Sequence, residues 1–383
     1  MRILHTSDWH AGKSLYKQDR MPDLEYALQQ ILEIIEQDKV DLLLVAGDIY
    51  DTYHPPTRAM EGLNEFFLAL HKQNIPAIVI SGNHDSTHLW SSMKELLSLA
   101  SIHVFDRVKL KNASWTSIIK GEPICVTSLP YPSERQLVRL MGESESVADQ
   151  RRRYAEKVAG VMKLLSQSLN PDSVQILCAH LMLNGAEPTH SERSLSISDT
   201  FAVQPQQIPD VFDYVALGHI HKRQQVKGSP VPAWYCGTPY QIDFGEHDMD
   251  KGVHLVDFEP GKKAQIQYRQ LKLKHALQLI SCHEDELPEI YTRWQGTSDY
   301  LKLRVKVAAP RKGLSDELRQ KLGKNLLGIE IQAPQKSDTA PKYQSLKLDA
   351  PLEVYRTYCA AQNLPLNEEL EKTFSELWEA VQK

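Results

Sequence analysis

The chain has 383 residues, with 44 Lys and Arg against 49 Asp and Glu and a formal net charge of -5. That length points to two or three domains, and 42% apolar residues supply a sizeable core and exclude a disordered chain. No apolar run approaches the ~18 residues that span a bilayer, and five scattered cysteines without a C-x-x-C pair argue against a disulfide framework or a thiolate zinc site. The chain opens directly on a strand-like run, so a cytoplasmic protein without signal peptide or membrane span is expected. The usual footprint of a nucleic-acid partner is basic, but this mild acidity averages over a catalytic half, a basic stretch and an acidic tail and does not exclude DNA.

In chain order, residues 3–6 form a first strand. Residues 24–37 place Leu24, Leu28, Ile31, Leu32 and Ile35 at helical spacing. Asp41 to Ala46 is an apolar run closed by Gly47, the pattern of a strand buried on both faces. A helix over about 57–73 carries Leu63, Phe66, Phe67 and Leu70 on one side, and 77–80 is another buried strand before Gly82. Such alternation predicts an α/β sheet with parallel strands. Further strands are expected at 124–128, 174–179, 214–217, 233–236 and 253–257, with a long helix near 147–169. Beyond residue 275, strands at 277–281, 300–307 and 328–331 with helices at 285–294 and 315–322 predict a small α+β unit. Residues 332–342 are polar and proline-punctuated, the composition of a linker. Two amphipathic helices follow, near 351–362 and 366–382.

Polar clusters fall where these strands end, the place at which α/β folds build their sites. Asp8 and His10 follow the first strand, Gly47-Asp48 the second, and Gly82-Asn83-His84-Asp85 the third. His180 follows Cys178-Ala179, and His219 with His221 follow Leu217-Gly218. Residues two apart on an extended chain face one side, so Asp8 with His10, and His219 with His221, are expected to converge. The set comprises two carboxylates, one amide oxygen and four imidazoles. It suits Mn, Fe, Zn or Mg, its hard oxygens favouring Mn²⁺. Seven ligands exceed the needs of one ion and match two ions sharing a carboxylate, which activate water and stabilise both oxygens of a phosphoryl displacement. Singly, D-x-H, G-D or H-x-H is a common structural sequence. All five motifs in order, each after an apolar strand, make a specific signal.

In this series the chain resembles the calcineurin-like metallophosphoesterases, whose motifs run D-x-H, G-D, G-N-H-D/E, H and G-H-x-H. The resemblance implies a four-layer α-β-β-α sandwich in which Asp8, His10, Asp48 and His221 hold one metal. Asp48 would bridge to a second ion held by Asn83, His180 and His219. His84 would be a catalytic histidine that stabilises phosphoryl oxygens or protonates the leaving group. Within the family, residues 3–10, 46–51, 216–221, 235–239, 243–246 and 351–355 look like the SbcD-type DNA nucleases. Ala11 departs from the usual leucine, and Asp51 stands where archaeal and eukaryotic relatives carry histidine, a place His54 is a candidate to fill. The subfamily implies exonuclease and endonuclease activity, a homodimer, and docking of residues 349–383 on an SbcC-type, SMC-like ATPase. The expected division is 1–275 catalytic, 276–332 capping and DNA-contacting, 333–348 linker and 349–383 docking.

Other features carry less. Ala11-Gly12-Lys13-Ser14 lacks the earlier glycine of a P-loop, so ATP chemistry falls to a partner. Cys178 is expected as a small buried strand residue. His5, His71, His88, His103, His247, His254, His275 and His283 lack ligand context and are expected to be structural or exposed. Arg151-Arg152-Arg153 reads as a solvated helix start. Between Lys302 and Lys324, eight basic residues face two acids, a stretch able to track a phosphate backbone. From Asp349 to Val381, seven acids oppose two basic residues, with Leu366, Leu370, Phe374, Leu377 and Val381 as an apolar stripe that needs a partner. Three functions compete: a DNA nuclease, a phosphatase or nucleotide phosphodiesterase with the same site, and a scaffold with incidental hydrolysis. The basic stretch, the docking tail and the intact ligands favour the first.

Overall fold

Leu42–Ala46 is buried along its whole length because its alternate side chains serve two cores. Leu42, Leu44 and Ala46 join Ile78, Ile80, Ile176, Cys178, Tyr214 and Ala216 in one apolar layer, while Leu43 and Val45 pack among helices. A continuous apolar run is the outcome of covering both faces. In a computed structural model describing residues 1–141, 154–167, 169–189, 191–192, 202–259, 262–333, 351–361 and 366–382, two six-stranded sheets stack on this pattern.

The first sheet runs, in spatial order, Gln265–Gln270, Gly252–Asp257, Arg2–Thr6, Leu42–Ala46, Ala77–Ile80 and Ile102–Phe105. Its last four strands are parallel, and Arg2–Thr6 pairs antiparallel with Gly252–Asp257. The second runs Gln224–Gln225, Ala233–Tyr235, Tyr214–Gly218, Val174–His180, Glu122–Leu129 and Ser114–Ile119, with its central pairs parallel. Met21–Gln37 and Thr57–Lys72 cover the outer face of the first sheet through Leu24, Ile31, Leu63, Phe66 and Phe67. Tyr154–Ser166 covers the second through Val158, Val161 and Met162. The layers are α-β-β-α, as expected. The helix Thr87–Leu99 lies outside the apolar pattern: only Trp90 and Leu97 are buried, whereas Leu96 and Leu99 are exposed.

The chain divides into two compact units, Met1–Val305 with Lys312–Ile331, and Lys306–Arg311 with Gln332–Lys383. A three-stranded sheet of Leu277–His283, Tyr300–Lys306 and Leu326–Gln332 carries the helices Leu287–Trp294 and Leu314–Leu322. Leu277 and Tyr300 pack with Leu15 and Phe244. The buried Arg20 guanidinium lies 5.6 Å from the Tyr240 ring and 5.1 Å from that of Tyr300, desolvated cation–π contacts that fasten this sheet to the sandwich. In the second unit, Pro351–Ala361 and Glu368–Gln382 pair through stacked Tyr355 and Phe374 rings 4.3 Å apart and an Arg356–Glu371 bond of 2.8 Å. Leu370 and Leu377 of the expected stripe are exposed. Residues 147–153, with the arginine run, and nearly all of the expected linker lie outside the described residues. Among the described residues, no helix is long and apolar enough to cross a membrane.

Candidate metal centre

The seam between the two sheets ends in the polar clusters. Asp8, His10, Asp48, Asn83 and His84 come from the first sheet, and His180, His219 and His221 from the second. Apart from the half-buried His84, all are buried. One correction concerns how they converge. Asp8 (φ 53°), His10 (φ 47°), Asp48 (φ 51°) and His219 (φ 102°) have left-handed or neighbouring backbone, not the extended form expected of Asp8–His10 and His219–His221. Side chains meet because the chain coils tightly at each strand end. Asp8 N donates to Gly47 O at 2.9 Å and His10 N to Asp48 O at 3.0 Å, fixing adjacent turns against each other. Such backbone is costly for a residue bearing a Cβ and persists where surrounding bonds over-determine it.

Two lobes result. In one, single ligand atoms of Asp8, His10 and His221 lie within 4.8 Å of one another, and His10 Nε2 faces His221 Nε2 at 3.2 Å. In the other, Asn83 Oδ1 lies 3.0 Å from both His180 Nε2 and His219 Nδ1. Asp48 Oδ2 stands between the lobes, 3.5 Å from His180 Nε2 and 3.9 Å from His10 Nε2. The His180 ring donates Nδ1–H to the Ala46 carbonyl at 2.8 Å, so its neutral form turns the Nε2 lone pair toward two acceptor oxygens. Acceptors facing acceptors at this distance require a positive centre among them, a proton or a metal ion. The donor set of carboxylate, amide and imidazole therefore fits two divalent ions.

The electrostatics express the same demand. Burial lowers the His180 pKa, but the Asp48 carboxylate outweighs it and brings it up to about 9. Asp48 is held well below the carboxylate range, His180 and His84 overcoming the effect of burial. Burial raises Asp8 to about 6 against the pull of His180 and His221. It lowers His10 to about 4, keeping that imidazole neutral. Perturbations in both directions within one cluster mark a functional site.

A surrounding set of residues was given no role from the motifs, although Asp85 and Glu246 stand within stretches that carry the resemblance. His221 Nδ1 meets Ser191 Oγ at 2.6 Å, and Ser191 Oγ donates to Glu246 Oε1 at 2.6 Å. Glu246 is fully buried and ion-paired with Lys251 at 2.7 Å. Glu192 Oε1 accepts His221 N–H at 3.0 Å. Asp85 accepts from the backbones of Gly82 (2.8 Å), Ile49 (3.2 Å) and Tyr50 (3.0 Å), joining the second and third motifs. A buried carboxylate such as Glu246 is the signal that would have exposed this set, but no spacing rule links residues 191, 221 and 246. Asp51 Oδ1 sits 3.2 Å behind His10 Nδ1, whereas His54 is exposed on the following loop. His84 donates its backbone N–H to Asp48 Oδ1 at 2.8 Å, and its Nδ1 meets the Asp51 carbonyl at 2.7 Å. Its Nε2 lies 4.0 Å from Asp48 Oδ2. Cys178 is buried in the sandwich. In the basic stretch, Glu330 pairs with both Lys302 and Arg304 and so offsets part of its charge.

A sandwich with these strand-end clusters, suited to two metal ions, defines the class of metal-dependent phosphoesterases. The chain belongs to the calcineurin-like phosphoesterase family, whose sequence pattern matches residues 1–223, and is a metal-dependent enzyme of that class. It is 31% identical over 265 residues to the SbcD component of the nuclease SbcCD of Bacillus subtilis, covering 69% of this chain and 68% of that one. The protein of the same name from Staphylococcus epidermidis is 27% identical over 306 residues, covering 80% and 79%. That from Escherichia coli K12 is 28% identical over 310 residues, covering 78% and 75%.

Proposed function

We propose that the chain is a Mn²⁺-dependent DNA nuclease, an exonuclease on duplex ends and an endonuclease on single-stranded or hairpin DNA. It serves as the catalytic component of an SbcCD-type complex in DNA repair and recombination, in the cytoplasm with the nucleoid. The observation that carries the proposal is the pair of buried lobes sharing Asp48, with His84 beside them. The relatives named above support the choice of DNA and of an SbcC-type partner.

Asp8, His10, Asp48 and His221 would hold one ion, and Asp48, Asn83, His180 and His219 the other. Two such ions, when bound, supply an activated water and charge neutralisation at phosphorus. The protein orients them: Asp51 braces His10, and Ser191 with Glu246 braces His221. Because Nδ1 of His84 is committed to the Asp51 carbonyl, its Nε2 is the atom that, once protonated, donates to a phosphoryl or leaving oxygen. Residues 276–332 would contact DNA through the remaining basic side chains, residues 349–383 would dock on the ATPase, and two copies would form a homodimer.

The test is Mn²⁺-dependent digestion of linear and hairpin DNA, with and without the ATPase, in parallel with hydrolysis of a small phosphodiester. DNA cleavage lost in Asp48→Asn is the expected result. Turnover of the small ester alone would favour a phosphatase or nucleotide phosphodiesterase.

A further inference from the structure

The apolar layer between the sheets changes character at one end. On the first sheet, His5 and His254 are direct cross-strand partners, and His254 is in turn opposite Tyr268. Alternation places all three on the face that carries Ile3, Val256 and Ile266 into the layer between the sheets. From the second sheet, Tyr214 and Trp234 meet them: the His254 ring is 5.1 Å from Trp234, and His5 is 5.9 Å from Tyr214. Cys236, just past Ala233–Tyr235, closes the group. His5, Cys236 and His254 are all about 1% exposed or less, and one ligand atom from each lies within 4.8 Å of the other two.

His5 and Cys236 find hydrogen-bond partners in this group, but the atoms around His254 do not. Among the described residues, neither ring nitrogen of His254 has a hydrogen-bond partner, and Trp234 Nε1 and Tyr268 OH also lack one. An orphaned buried polar atom costs ~1–3 kcal/mol, and four together in an otherwise apolar layer call for an occupant. His5 Nε2 lies 3.2 Å from the Leu217 carbonyl, which can only accept. The proton is therefore on Nε2, and Nδ1, 3.0 Å from Tyr214 OH, carries the lone pair. An N–H anchored on a carbonyl with the other nitrogen presented inward is how metal-binding histidines are oriented. Burial, with Arg223 nearby, lowers His254 to about 3 and leaves it neutral. The Arg223 side chain itself is exposed, so solvent screens its charge.

We propose that Cys236, His254 and His5 form a third ion site, separate from the carboxylate-rich centre, for a thiolate- and imidazole-preferring divalent ion such as Zn²⁺. One sulfur and two imidazole nitrogens match the soft-to-borderline class. Ligand atoms around such an ion sit ~3.5 Å apart, so from separations within 4.8 Å the cluster closes by at most about 1.3 Å on binding. The Cys236 thiol, 3.1 Å from the His5 carbonyl, loses its proton to solvent as the ion takes its place. Its role is to brace the sandwich beneath the turns that carry Asp8 and Gly237, which Ser7 already links.

The probe is Co²⁺ titrated into the chelator-treated full-length protein. Binding at Cys236 gives a sulfur-to-cobalt charge-transfer band in the near ultraviolet, which an oxygen and nitrogen centre cannot produce. The band should saturate with one ion, persist in Asp48→Asn and vanish in Cys236→Ser. His254→Gln should weaken it by roughly tenfold or more. No band in the native protein, or an undiminished band in Cys236→Ser, overturns the proposal. Circular dichroism checks that each variant folds. If Cys236→Ser does not, His254→Gln decides, and an unchanged titration there is equally fatal.

Discussion

Glu246→Gln separates what the site's scaffolding does for stability from what it does for metal. The carboxylate is fully buried and bonded to Lys251 Nζ (2.7 Å), Ser191 Oγ (2.6 Å), Thr238 Oγ1 (3.2 Å) and the Ile242 amide (3.2 Å). A glutamine in the same rotamer sets an NH₂ against the Lys251 ammonium and leaves that buried charge uncompensated. Removing one partner of a buried pair costs ~3–5 kcal/mol, to be read from urea unfolding in chelator. The same change slackens the Ser191 bond that fixes His221, worth ~10–100-fold in metal affinity, to be read by calorimetry. Adding Lys251→Met removes the stranded charge. Stability should then return to within about 1 kcal/mol, the share of the Lys251–Thr238 bond of 2.7 Å, while metal affinity stays low. If the double variant regained affinity along with stability, or the single variant lost neither, Glu246 would not be orienting His221.

Three further outcomes are expected. His84→Asn should slow phosphodiester cleavage by ~10²–10⁴-fold with both ions still bound by calorimetry; lost ions would make His84 a ligand. Metal affinity should climb as pH rises from about 6, where Asp8 ionises, to about 9, where His180 gives up its proton. The His180 shift is upward from ~6.5, so it stabilises the chelated protein fully below the unfolded value and is lost as pH rises through about 9. Melting of chelated and loaded protein should therefore diverge with pH, and a flat competition titration with a chromophoric chelator would contradict this. Gly82→Ala places a methyl against Asp48 Oδ1 and the Asp48 amide. Overpacking of about 1–3 kcal/mol should appear as a lower melting temperature together with weaker metal binding, and a wild-type affinity would show the turn to be slack.

The sandwich was legible wherever both faces of a strand are covered, since Leu42–Ala46 or Ala77–Ile80 then has no polar position to confuse it. Ser114–Ile119 and Gln265–Gln270 escaped because they are edge strands, half exposed and polar in alternation. The helix Thr87–Leu99 escaped because its exposed face carries leucines that blur the stripe. Strand-end motifs bring all eight predicted residues into one cluster, yet the reason assumed for Asp8 with His10 was wrong. Spacing says nothing of a positive φ. The parts played by Ser191, Glu246 and Lys251 stayed hidden because their link to His221 is a chain of hydrogen bonds between distant loops. The meeting of His5 with His254 carried no signal in the sequence, the two being 249 positions apart and adjacent only through strand register.

Each lobe of the metal centre draws on both sheets. In the proposed ligand sets, Asp8 and His10 act with His221, and Asp48 and Asn83 with His180 and His219. A nascent chain emerging from the ribosome thus displays carboxylates and an amide long before any imidazole of the second sheet exists. On the proposed ligand sets, the Asn83 lobe is incomplete until residue 219 is out and the Asp8 lobe until residue 221, with the two sheets docked. Metal capture is thereby a late event in the life of each molecule, and hydrolytic capacity is withheld from partly made chains.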